Sequence, residues 1–106
     1  MISQKDINVA RKLHESISQK MKLCGLWVFG SRARGDNKED SDMDVLVEIE
    51  EVSPRIQKTL SRLSWEIGFD NDIVISIIPV SREELENGPM KVSPLIRAVL
   101  KEGIAI

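Results

Sequence analysis

Three groups of residues have the types and spacing for chemistry at a phosphate. Gly30-Ser31 follows a short apolar run, Leu26-Trp27-Val28-Phe29, and precedes Arg32 and Arg34. A glycine at a strand end lets the backbone approach a ligand closely, and N–H groups at a helix start suit a phosphate. The serine hydroxyl and the two arginines add a donor and positive charge. The second group is Asp42-Met43-Asp44. In a strand, residues i and i+2 face the same side, ~7 Å apart at Cα. Both carboxylates then project together, and a divalent cation is the usual remedy for their repulsion. Oxygen ligands without His or Cys point to Mg²⁺ or Mn²⁺. The third group is Asp72, which directly abuts the apolar run Ile73-Val74-Ile75. If that strand lies beside the second, Asp42, Asp44 and Asp72 could hold two metals about 3.5–4 Å apart, the arrangement for in-line attack at phosphorus. Asp70 lies close by as an alternative third carboxylate.

Other readings of these residues compete. Gly25-x4-Gly30-Ser31 mimics the start of a Walker A loop, but it lacks the lysine, and residues 26–29 read as a strand. Asp40, Asp42, Asp44, Glu48 and Glu51 match an EF-hand loop, yet the position that needs glycine for a sharp turn holds Val45. A solvated acidic loop is the remaining rival. Residues 36–51 carry eight acids and one base, while the other ninety carry 14 bases and 9 acids. On residue types alone, the acidic loop and the metal site both stand.

A family resemblance separates them. Gly30-Ser31, ten residues, then Asp42-Met43-Asp44 resembles the Gly-Ser…Asp-x-Asp motif of the minimal nucleotidyltransferases. The later Asp72-Ile73-Val74-Ile75 and the end of the chain, Ser93-Pro94-Leu95-Ile96 to Lys101-Glu102-Gly103-Ile104, also look like that family. The resemblance covers residues 8–104 and implies a polymerase-β-like nucleotidyltransferase fold. It implies Mg²⁺-dependent transfer of a nucleoside monophosphate from an NTP, with ATP the expected donor and Mn²⁺ an alternative ion. Gly30 and Ser31 would grip the β and γ phosphates, with Arg32 and Arg34 beside them as nucleotide-binding residues. Asp42 and Asp44 would bind two metal ions, and Asp72 would complete one site and help activate the acceptor hydroxyl. The resemblance also implies a partner. Stand-alone members often pair, as antitoxins, with a small all-helical HEPN-type RNase toxin, and some transfer AMP onto a tyrosine of that toxin.

The elements that must position these groups follow from periodicity and punctuation. Residues 3–24 read as an amphipathic helix with a capping-box-like start at Ser3 and Asp6, closed by Gly25. Residues 26–29 and 43–49 read as strands, the two expected to be antiparallel neighbours. Ser53-Pro54 starts a helix over 54–67, closed by Gly68. A third strand over 72–78 is ended by Pro79 and can run parallel to the second. Two short helices follow, one from Ser81 to Asn87-Gly88 and one from Ser93-Pro94 to Gly103. The expected fold is α/β (α+β), a small mixed sheet covered by helices, in one domain over residues 1–106.

Bulk properties narrow the rest. One cysteine, Cys24, and one histidine, His14, exclude an intrachain disulfide, a cysteine-based zinc site and a multi-histidine metal site. No apolar run reaches the ~18 residues of a membrane helix, and the N-terminus lacks a signal-peptide profile. The expectation is a cytoplasmic protein with no membrane and no direct nucleic-acid partner, in a homo- or hetero-oligomer. Cys24 reads as a small buried residue and His14 as a packed or interface one. Trp65 falls opposite the stripe Ile56, Leu60, Leu63 and Ile67, so it either anchors a partner or is covered by the C-terminal segment. Three functions follow: AMP transfer to a partner protein, nucleotidylation of a small hydroxyl compound, or masking of the partner without catalysis. The second usually needs an acceptor-binding domain, for which 106 residues leave no room.

Overall fold

The computed structural model describes residues 1–106. A four-stranded sheet runs β3-β2-β1-β4, built from β1 (Leu23–Phe29), β2 (Met43–Ile49), β3 (Ile75–Ser81) and β4 (Ile104–Ala105). β1 is antiparallel to β2 and to β4, and β2 is parallel to β3. The parallel pair is joined by α3 (Pro54–Asp70), a crossover helix. Both strand pairings match the expectation from sequence.

Alternation along β2 divides the molecule into two layers. Met43, Val45, Val47 and Ile49 face α1 (Gln4–Ser18) and α3, and all are at most 2% exposed. α1 meets them with Val9, Ala10, Leu13 and Ile17, and α3 with Leu60 and Leu63. The opposite face is smaller. Leu46 packs there with Val80 of β3 and with Ile96 and Val99 of α5 (Pro94–Glu102). Asp44 and Glu48 alternate with Leu46, so they flank this second cluster and lie half-buried. Both long helices are capped as their sequences indicate: Ser3 Oγ accepts from the Asp6 N–H at 3.1 Å, and Ser53 Oγ from the Ile56 N–H at 3.2 Å.

Three boundaries differ from the sequence reading, each because a residue serves tertiary packing. α1 stops at Ser18, and β1 starts at Leu23, which pairs with Ile49. Gly25 therefore lies in the strand. A Cβ there would meet the Trp27 indole at 2.5 Å, so the glycine makes room for that ring and stops no helix. Gly68 lies inside α3, buried where the backbone of Ile73 crosses it, and the helix continues to Asp70. β3 begins at Ile75 and runs through Pro79. β3 is an edge strand, where a proline removes no needed ladder donor. Asp72 precedes it in a turn, with φ +56° in the left-handed region. The short α4 (Arg82–Asn87) carries a full capping box between Ser81 and Glu84. A 3₁₀ turn (Pro89–Val92) and β4 have no counterpart in the sequence reading, being too short to show a period.

Candidate active site

The site forms where the end of β1 meets the start of β2. Phe29, the last residue of β1, pairs with Asp44. The chain then enters α2 (Gly30–Arg34) through Gly30, at φ +74°. A side chain is excluded at Gly30 twice over: by this φ, and because a Cβ would stand 2.7 Å from Asp44 Oδ2. The glycine thus lets the first turn of α2 lie directly against the carboxylate, with Ser31 half-buried beside it. Gly35, at φ +81°, closes the helix and donates its N–H to the Ser31 carbonyl at 2.8 Å.

Asp42 is exposed just before β2, and Asp44 is half-buried two residues on. Burial raises the Asp44 carboxyl above the ordinary carboxylate range, and the neighbouring charge of Asp42 raises it further. Two carboxylates in this relation are hard oxygen donors whose mutual repulsion a bound divalent cation relieves. The donor set therefore fits a cation of the Mg²⁺ or Mn²⁺ type.

The sequence profile of the nucleotidyltransferase domain family matches residues 10–106. The chain belongs to that family. The solved structure of a minimal nucleotidyltransferase has a TM-score of 0.67 to it at 25% identity, covering 98% of this chain and 97% of that one. A toxin–antitoxin crystal structure with AMP-PNP aligns at TM-score 0.58 over 95% of this chain and 68% of that one, at 16% identity, a likeness of fold. MJ1215 of Methanocaldococcus jannaschii, which bears the name of a protein adenylyltransferase, is 40% identical over 44 residues, 42% of this chain. The match spans about half, 51%, of MJ1215.

In this nucleotidyltransferase, two of the expected site residues take other positions. Arg32, expected at the nucleotide, points inward and is 8% exposed. Its Nη1 donates to both oxygens of Asp6, at 3.0 and 3.2 Å. Its Nε and Nη2 donate to the Ser41 carbonyl at 2.9 and 2.7 Å, and Nη2 also to the Glu39 carbonyl at 3.1 Å. A guanidinium has five N–H donors, and these contacts occupy them, so none is free for a phosphate. Arg32 is a positioning residue: it ties the loop that delivers Asp42 to α1. Arg34 stays exposed and pairs with Asp36 at 3.1 Å.

Asp72, expected to complete the metal site, is not brought to it. Asp72 is exposed in the turn before β3 and lines a groove on the α1/α3 side, with Asp40, Trp65 and Phe69. Asp44 faces the α5 side and has Ser76 as its partner across the ladder. No three Asp, Glu, His or Cys side chains converge anywhere as a metal-binding group. Asp70, the alternative third carboxylate, ends α3 and is exposed.

Two residues placed beside the site were missed by sequence reasoning. Asp6 reads as part of a cap, yet it falls on the buried stripe with Val9, Ala10, Leu13 and Ile17, and that was its signal. Ser76 is a lone polar residue in the run Ile73-Val74-Ile75-Ser76-Ile77-Ile78, visible but without a register to give it meaning. Cys24 is half-buried, and burial, then the charges of Glu50 and Glu48, push its thiol up, away from the thiolate. His14 is half-buried on α1, its Nδ1 3.5 Å from Ser18 Oγ. No helix is long and apolar enough to cross a membrane.

Proposed function

We propose that this nucleotidyltransferase transfers AMP from ATP to a hydroxyl of a partner protein, and that the partner is a HEPN-type RNase toxin to which it acts as antitoxin. The observation that carries the reading is the Gly30 turn seated against Asp44, with Asp42 beside it. Gly30 and Ser31 offer backbone and hydroxyl donors to the β and γ phosphates, and Arg34 adds charge from the surface. Asp42 and Asp44 would hold a divalent metal, which as a Lewis acid offsets phosphate charge during transfer. The name of MJ1215 supports a protein acceptor, and the toxin–antitoxin fold neighbour supports a toxin as the partner.

The test is transfer of label from ATP labelled at its α-phosphate, in Mg²⁺, to the purified partner toxin. Label on the toxin is the expected result. Its absence, with an adenylyltransferase control active in the same buffer, overturns the enzymatic reading. A masking antitoxin without catalysis is the second reading, favoured by the serine opposite Asp44.

A partner needs a surface, and α3 offers one. Trp65 and Phe69 stack one helical turn apart, ring centroids 5.3 Å apart and planes 18° from parallel. They are 67% and 73% exposed, with Val74 nearby at 64%. The C-terminal segment does not cover Trp65, because it forms β4 against β1. Exposed aromatic pairs are the residues that dominate interface energies. Trp65→Ala is expected to weaken the toxin complex by about 30-fold, a loss of ~2 kcal/mol. Unchanged affinity in a titration would remove Trp65 from the interface.

A further inference from the structure

We propose that this active site binds one divalent cation rather than two, because Ser76 takes the position of the third carboxylate. The inference rests on the metal–nucleotide reading above and narrows it. Position in the ladder carries the argument. β2 and β3 are parallel and in register from Met43↔Ile75 to Ile49↔Ser81, which sets Ser76 directly beside Asp44. Neighbouring strands lie ~4.8 Å apart, and paired residues point to the same side of the sheet. Ser76 is therefore the one residue of β3 that can share a ligand with Asp44.

Asp36, Asp40, Glu48 and Asp72 are each placed elsewhere. Asp72 lies four residues before Ser76 and lines the groove on the other side of the sheet. Asp40 lines that same groove, and Asp36 is paired with Arg34. Glu48 shares the face of Asp44, but four residues on is ~13 Å at ~3.3 Å per residue. Burial raises its carboxyl above the ordinary range, and the charge of Arg82 offsets part of that rise. Two adjacent divalent cations need bridging and flanking anionic oxygens to offset their repulsion. A neutral serine hydroxyl is a weak ligand and supplies no charge. Asp42 and Asp44, together with nucleotide phosphates, suffice for a single ion.

Electron paramagnetic resonance with Mn²⁺ and a non-hydrolysable ATP analogue tests this without turnover. Two Mn²⁺ ions about 3.5–4 Å apart couple and broaden the spectrum, and a single ion does not. The wild-type chain is expected to retain one uncoupled Mn²⁺. Ser76→Asp is expected to retain two, with the coupled spectrum, and Ser76→Ala to match the wild type. A coupled pair in the wild type overturns the proposal and leaves the nucleotidyltransferase reading intact. No retained Mn²⁺ in the wild type overturns both. An uncoupled single ion in Ser76→Asp, with a native circular dichroism spectrum, overturns the place assigned to Ser76. Were that variant unfolded, the wild-type spectrum decides alone.

Discussion

Asp6→Ala is expected to cost the fold about 3–5 kcal/mol, the usual penalty for breaking a buried ion pair from one side. The Asp6 and Arg32 side chains are 3% and 9% exposed, and the guanidinium meets both carboxylate oxygens. Removing the carboxylate leaves a buried positive charge with only the Glu39 and Ser41 carbonyls for company. Domains of this size have only about 5–15 kcal/mol in total, so a urea midpoint should fall steeply with the slope unchanged. Arg32→Met should be as harmful, and for a second reason: it also releases the carbonyls that fix the loop before Asp42. The double variant Asp6→Leu/Arg32→Met separates the two effects. Replacing both charges by apolar groups restores most of the lost stability, but the loop stays untied, so binding of a metal–nucleotide complex remains weakened. A loss below about 1 kcal/mol for Asp6→Ala would show that the pair is not the clamp its geometry describes.

That clamp marks the boundary of what the sequence discloses. The placement of Gly30-Ser31 and Asp42-Met43-Asp44 was legible because it depends on near neighbours along the chain: a strand end, a turn and a period of two. The Trp65 position was legible for the same reason, since a helical period places it opposite Leu60 and Leu63. Arg32 looked like a phosphate ligand because its charge is visible in sequence and its direction is not. Its direction is set by Asp6, 26 residues earlier on another element. The third ligand failed similarly. Asp72 abuts an apolar run, but the strand starts three residues later, after a left-handed turn, and the register with β2 then sets Ser76 beside Asp44. Pro79 and Gly25 misled for a related reason. Each is a local stop signal, overridden by an edge position in one case and by the Trp27 ring in the other.

Asp42→Asn/Asp44→Asn is expected to abolish nucleotidyl transfer, by about three orders of magnitude or more, because it removes both anionic donors proposed for the metal. The fold should survive, and the direction of the Asp44 shift says why. Burial first, then the charge of Asp42, holds the Asp44 carboxyl above its ordinary range. A carboxyl raised in the folded state contributes stability that is fully present below its unfolded pKa of ~3.9 and is lost as pH rises through the folded value. At pH near 7 the ionised Asp44 therefore opposes folding, and Asp44→Asn removes that opposition. Its thermal midpoint should match or exceed the parent's at neutral pH, and the advantage should narrow as pH falls toward ~4. The Asp42→Asn single variant should give a smaller gain, since Asp42 is exposed. Sites that bind charge commonly trade stability for function in this way. The pairing of the two readouts is what makes the assignment testable. Lost transfer with a retained midpoint assigns the carboxylates to catalysis. A midpoint that falls together with transfer would make them supports of the fold. If the double variant neutralises the proposed toxin as well as the parent does, neutralisation does not need transfer, and the masking reading replaces the catalytic one.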